Sequence, residues 1–344
     1  MHCFSRRLKY SGPILLTVLL FENWDFVWAN DSAAEVAAGG IQLRKEARIS
    51  MEKEQLTISL NKVTVEYEFL NTTDKDIATE VAFPVPPYEF TPESPGGVRD
   101  FDDFHVWVNG KAVAHQKSVR AQHKGTDYTQ LLRRLRIEID TFGRFPIPDY
   151  DVEASQIGRL PGPERQNLIQ LGLTDKGSFR QWSVVKTYHW SQVFPAKGIL
   201  RVRHEYTPAA GFQPVVTAEI RRELKGVCLD PAVEKRLLSL RAMKATKGGV
   251  GDETRFSGGS IYAYAEWVKY ILTTANSWAG TIKNFELVVV EPEIIGDKPQ
   301  PKRVGTSVCW EGSMQPFDKG RLVIRRTNYL PSQELAIYSF LDYD

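Results

Sequence analysis

Early in the chain, apolar and polar residues alternate one for one. Leu56, Ile58 and Leu60 alternate with Thr57 and Ser59; Val63, Val65, Tyr67 and Phe69 alternate with Thr64, Glu66 and Glu68. A period of two belongs to strands with one buried and one solvated face. Helices need apolar residues three and four apart to keep them on one side. This stretch therefore folds as antiparallel sheet. Asn71-Thr72-Thr73-Asp74 supplies a turn, and the alternation resumes at Ile77, Thr79, Val81 and Phe83. Pro84, Pro86 and Pro87 then end the ladder, because proline has no N–H to donate. Phe104, Val106 and Val108 lead into Asn109-Gly110, a pair suited to the left-handed positions of a tight hairpin.

The period then changes. Leu131, Leu132, Leu135 and Ile139 sit at helical spacing within Thr126–Asp140, which predicts an amphipathic helix. A second short helix is expected from Pro163 to Leu171, with Gly172 as its stop. Residues 120–178 thus read as a helical insertion. Strands return with Trp182, Val184, Tyr188 and Trp190 on one parity, and with Leu200, Val202, His204 and Tyr206 on another. Asp230-Pro231 predicts a helix start, with a short helix near 230–244. Further strands are expected near 261–272, 285–290, 305–310, 320–327 and 334–341. The expected fold is mainly β: two antiparallel β-sandwich-like regions, at 30–119 and 179–344, around the helical insertion. Whether these form two domains or one elaborated assembly is left open.

Residues 1–29 read as a secretory signal peptide. Arg6, Arg7 and Lys9 precede the apolar run Pro13–Phe21, and Val27-Trp28-Ala29 offers a cleavage site after Ala29. The run is shorter than the ~20 residues a membrane-spanning helix needs. A retained anchor is the alternative. No transmembrane segment is expected after cleavage, so the protein is expected to be periplasmic or secreted. Loss of residues 1–29 removes Arg6, Arg7, Lys9, Glu22 and Asp25 and leaves a net charge of +1. Near-neutrality gives no general attraction to nucleic acid, and no nucleic-acid partner is expected. Cys3 leaves with the signal. Cys228 and Cys309 remain, an even pair suited to an oxidising compartment, and a disulfide between them is expected. Two separate buried thiols are the alternative.

Few residues group in a pattern that carries chemistry. His115 and His123 lie beside the hairpin but lack metal-ligand spacing, and no metal or cofactor is expected. Asp100, Asp102 and Asp103 lack the run of a calcium loop and read as a solvated acidic loop. Gly248-Gly249-x-Gly251 is not followed by Lys-Ser/Thr and reads as a linker. There is no Gly-x-Ser-x-Gly elbow. His204, on an inward parity, is the weak catalytic candidate, with Glu205 or Asp230 as a conceivable partner; a satisfied core histidine is the plainer reading. Trp182, Tyr188 and Trp190 share one strand face. Exposed, that face would stack a sugar or a partner protein; packed inward, it would be core.

Two resemblances rest on these residues. VTVEYEFLNTTDKDIATEVAFPVPPYEF followed by FHVWVNGKAV looks like the start of a vault/inter-α-trypsin-type sandwich. More broadly, the chain resembles the bacterial exported family "domain of unknown function 4424". The resemblance is carried by Asn30-Asp31-Ser32 with Ala37-Ala38-Gly39-Gly40, by Asn71 with Asp74 and Lys75, and by Ala82-Phe83-Pro84. It continues in Tyr188-x-Trp190-x-Gln192-x-Phe194-Pro195-Ala196, in His204-x-Tyr206-x-Pro208 with Gly211, and in Thr274-Ala275-Asn276-x-Trp278-x-Gly280. Cys228 and Cys309 fall where that family places its pair. Thr281-Ile282-Lys283 departs from the Gly-Pro-Ile-Gly-like turn expected there. The resemblance implies an exported protein of a Gram-negative envelope and brings no activity with it. The functional expectation is a non-enzymatic binding or interaction module for an envelope protein or glycan. The alternative is an envelope hydrolase, directed at glycan or peptide, with the helical insertion as lid.

Overall fold

The computed structural model describes residues 32–37, 40–89, 103–140, 156–175, 179–216, 219–223, 227–246, 261–291, 301–311 and 317–342. The expected signal peptide, Asp100, Asp102 and the Gly248–Gly251 linker lie outside them.

β1 (Ser32–Ala37) and β2 (Gly40–Arg44) form an N-terminal hairpin. β3 (Glu46–Ile58), β4 (Val63–Asn71) and β5 (Ile77–Pro84) carry the alternating stretch. Short strands follow: β6 (Tyr88–Glu89), β7 (His105–Val108), β8 (Lys111–Ala112), β9 (Gln116–His123) and β10 (Thr126–Asp127). Next come α1 (Thr129–Arg134), α2 (Gly162–Gln170), β11 (Thr174–Asp175) and β12 (Phe179–Arg180). The rest of the chain supplies β13 (Ser183–Phe194), β14 (Ile199–Tyr206), β15 (Ala210–Val215), α3 (Ile220–Glu223), α4 (Pro231–Thr246) and β16 (Ala263–Tyr270). It ends with β17 (Trp278–Ala279), β18 (Ile282–Val290), β19 (Lys302–Cys309), β20 (Arg321–Tyr329) and β21 (Leu335–Asp342).

The fold is mainly β, as the alternation predicts. Among the described residues, one sheet runs β10-β9-β13-β5-β1-β2, with β6 also on β13. A second, eight-stranded sheet runs β20-β18-β3-β4-β14-β7-β8, with β17 beside β3. A third runs β15-β16-β21-β19. Both large sheets combine strands from before and after the insertion. β13 pairs with β5 and β9; β14 pairs with β4 and β7. β18 lies parallel to β3, with Leu287 opposite Leu56. One core joins them, from Ile49 through Tyr67, Phe83 and Trp278 to Ile337. The two β segments of the sequence are therefore interleaved in space. Each large apolar side chain buried there contributes about 1.5–3 kcal/mol.

Local signals explain several boundaries. Asn109 and Gly110 have φ of 49° and 78°, the left-handed pair of a tight hairpin, between β7 and β8. Asp230 Oδ1 accepts from the N–H groups of Ala232 and Val233 at 2.8 and 3.1 Å and caps α4. Gly172, at φ 70°, ends α2, with the Leu173 N–H donating to the Leu168 carbonyl. The expected helix over Thr126–Asp140 is shorter, because Arg136 turns left-handed at φ 57° and closes α1 in the same way. α1, α2 and the described residues beside them cover one end of the first sheet. Leu132, Ile157, Leu168 and Leu173 pack there against Val184 and Trp182. Cys228 and Cys309 form a disulfide that ties the approach to α4 to the end of β19.

Candidate functional site

The strand parity that buries Val65, Tyr67, Leu200 and Val202 turns their neighbours outward. Register then aligns those neighbours in rows across the eight-stranded sheet. Glu66 stands opposite both Gln55 and Arg203, and Arg203 stands opposite Trp107. One step along, Glu68 lies between Lys53 and Arg201. The opposite charges meet. Arg201 Nε donates to Glu68 Oε1 at 3.0 Å, and Arg203 Nε lies 3.9 Å from Glu66 Oε1. A second nitrogen of Arg203 donates to Glu205 Oε2. Lys62 Nζ is 2.5 Å from the other Glu205 oxygen and holds that carboxyl below the usual carboxylate range. Further along the row, Gln55 and Arg325 both donate to Glu286, at 3.0 and 2.6 Å.

These side chains enclose a cleft of about 390 Å³, lined by Lys53, Glu66, Glu68, Trp107, Arg201 and Arg203 with Gly110 at its rim. The β7–β8 hairpin forms one wall. Its turn is clamped to β14: the Asn109 N–H donates to the Arg201 carbonyl at 2.8 Å, and Asn109 Oδ1 accepts from the Arg201 N–H at 3.0 Å. The Arg203 guanidinium lies over the half-buried Trp107 ring, 4.7 Å from its centroid. A clamped hairpin, an indole under a guanidinium and a ladder of donors and acceptors make the surface. It offers hydrogen bonds of both polarities beside an aromatic ring.

The residues singled out from sequence lie elsewhere. His204 is fully buried. Tyr67, Phe83, Phe104 and Trp190 surround its ring at centroid distances of 5.5, 5.0, 5.1 and 5.3 Å, each edge to face. Burial holds the imidazole neutral and pushes its pKa down to about 3. The conceived partners are not beside it: Glu205 faces outward on the opposite parity, and Asp230 is occupied as the α4 cap. A base shut away from solvent gives the hydrolase reading no support. Trp182, Tyr188 and Trp190 are also buried, so their shared face is packed rather than open for stacking. Trp182 lies under the helical region and donates through Nε1 to the Ile139 carbonyl at 3.3 Å, with Arg180 over its ring. Tyr188 stacks on Phe104 at 4.4 Å. His115 meets Phe104 and Tyr188 edge-on, and burial lowers its pKa. Asp103 accepts from the backbone and hydroxyl of Thr207. Among the described residues, no three His, Cys, Asp or Glu side chains gather in a group that could hold a metal ion. No helix among them is long and apolar enough to cross a membrane.

Sequence reasoning passed over the cleft, although four of its charged residues belong to the polar half of the strand alternation. Glu66 and Glu68 on one strand, and Arg201 and Arg203 on another, are i,i+2 pairs of like charge. Like charges at that spacing share one strand face and call for opposite charges on the neighbouring strand.

Residues 29–338 match the family described as "Domain of unknown function (DUF4424)", and the chain belongs to that family. No curated protein matches it. Among solved structures, one from Legionella pneumophila subsp. pneumophila, described as a "putative nutrient binding protein", is similar at 15% identity. The match covers 91% of this chain and 70% of that one with a TM-score of 0.39, a likeness too distant to carry an argument.

Proposed function

We propose that this protein is an exported, non-enzymatic binding module that recognises its partner through the outer face of the eight-stranded sheet. The observation that carries the reading is the Trp107–Arg203 cleft. It is concave, charge-paired and braced by the clamped Asn109-Gly110 hairpin, as a recognition surface is. Export is supported by the signal-like residues 1–29 and by the Cys228–Cys309 disulfide, since such bonds persist in oxidising compartments. The partner class is an envelope protein or a glycan.

The test places a photo-crosslinking amino acid at Lys53, on the cleft, or at Lys235, on the exposed side of α4, in the full-length protein in its native envelope. A discrete adduct from position 53 that is absent from position 235, recovered from the extracytoplasmic fraction, is the expected result. Equal labelling from both positions, or none from position 53, would overturn the reading. Recovery in the cytoplasmic fraction would overturn export.

A further inference from the structure

We infer that the cleft takes a neutral, polyhydroxylated ligand: a short saccharide rather than an anion or a charged peptide. This inference rests on the binding role proposed for the same face.

The mixing of charges is the first argument. Three cations, Lys53, Arg201 and Arg203, are interspersed with two carboxylates, Glu66 and Glu68, a lining of only +1, and the next pair outward, Lys62 with Glu205, adds no net charge. No part of the cleft is of one sign. An anion reaching Arg201 would also meet Glu68, whose oxygen is 3.0 Å from the same guanidinium. It would have to displace a carboxylate already in place and then sit beside it. A cation meets the mirror-image obstacle at Arg203, which lies between Glu66 and Glu205.

Unspent hydrogen-bonding capacity is the second. A guanidinium carries five N–H donors and a carboxylate about four acceptor sites. Arg201 spends its Nε on Glu68, and its side chain is 68% exposed. Glu66 is 51% exposed and meets Arg203 only at 3.9 Å. Donors and acceptors thus alternate along the wall with valences still open. A hydroxyl group donates and accepts at once, so it adds to such a ladder without breaking it. Adjacent hydroxyls of a sugar ring bridge neighbouring donors and acceptors.

The aromatic ring and the size of the cleft complete the case. A pyranose presents a C–H-rich face as well as its hydroxyls; Arg203 covers one face of the half-buried Trp107 ring, so the apolar surface left to the ligand is the part of the indole beyond that guanidinium. The rows at Arg201 and Arg203 are two residues apart, about 7 Å along a strand. A ligand touching both rows spans that separation, within reach of one or more sugar rings. The volume, near 390 Å³, lies toward the small end of ordinary ligand sites, which run about 300–1,000 Å³.

The test is isothermal titration of the purified protein with cellotetraose, maltotetraose and chitotetraose, and with a hyaluronan tetrasaccharide as the acidic counterpart. At least one neutral tetrasaccharide is expected to bind, with affinity changing less than about twofold between 0.05 and 0.5 M NaCl. Trp107→Ala is expected to weaken it about tenfold or more. Arg201→Gln, at a position exposed enough to leave folding intact, is expected to weaken it about fivefold. Binding of hyaluronan alone, lost in salt, would overturn the neutral ligand while leaving the cleft as a binding surface. Failure of all four sugars would overturn the saccharide. In that case a Lys53-specific adduct to a protein would keep the binding role, and its absence would remove that role too. Binding unaffected by both substitutions would place the ligand elsewhere and overturn the inference.

Discussion

Arg203 lies over Trp107 on the outer face of the sheet, while the next residue, His204, is sealed inside it. A cation on an indole face in partly exposed surroundings is stabilised by about 0.5–1 kcal/mol. Arg203→Ala and Trp107→Ala are each expected to lower stability by about 1 kcal/mol or less, because neither anchors the core. The double substitution is expected to show about 0.5–1 kcal/mol of coupling in urea unfolding. Additive losses would mean that the two side chains hold their places independently.

His204 makes the protein sensitive to acid. Its folded pKa is about 3, depressed by burial from the ordinary histidine value near 6.5. The unfolded chain therefore binds the proton more readily, so stability rises with pH across that window. The contribution is fully present above pH 6.5 and is lost as pH falls toward 3. At about 1.4 kcal/mol per unit, the loss is on the order of 5 kcal/mol. His204→Phe keeps a ring within the aromatic cage and is expected to flatten this slope in urea unfolding at pH 4 and pH 7. An unchanged slope in the variant would assign the acid sensitivity to other groups.

Much of the architecture is legible in short stretches. The alternation of β3, β4 and β5, the Asn109-Gly110 turn, the Asp230 cap and the Gly172 stop each rest on chemistry confined to a few neighbouring residues. Pairing over distance is different. Nothing in the sequence around Leu56 says that Leu287 will lie beside it in parallel, because that choice is made by the whole core closing at once. The helix from Thr126 falls short for a local reason that composition conceals: Arg136 adopts a left-handed turn, the conformation of a helix stop, without being glycine. Parity shows that Trp182, Tyr188 and Trp190 share a face but not whether that face is covered. The same parity hides the cleft. Glu66, Glu68, Arg201 and Arg203 read as solvated charges until register sets them beside Trp107.

The disulfide closes a loop with a separation of 81 residues. Chain entropy values such a closure at about 4 kcal/mol, and losses on removing native disulfides run about 2–5 kcal/mol. Cys228→Ser with Cys309→Ser is expected to lower the free energy of unfolding by that amount, and reductant is expected to do the same to the parent. A reduced parent more stable than the double-serine chain would mean that the thiols pack well enough to replace part of the bond.

Gly211 stands directly opposite Trp267 in the β15–β16 ladder, and the indole lies across it. A Cβ added at position 211 would come within 2.1 Å of Trp267 Cε2 and 2.5 Å of Nε1. The constraint is space and not backbone, since Gly211 is absent from the left-handed glycines. Relief requires the indole to move. Trp267 packs against the core between α4 and the four-stranded sheet and lies 6.0 Å from the Tyr338 ring. Gly211→Ala is therefore expected to cost about 1–3 kcal/mol, the usual range for overpacking, and to shift tryptophan fluorescence as the ring leaves its site. In a Trp267→Leu background the obstacle is gone, so the same alanine is expected to be neutral or slightly stabilising, because it restricts the unfolded chain. Thermal unfolding of the four proteins checks this. An equal cost of Gly211→Ala in both backgrounds would show that the glycine serves the backbone and not the indole.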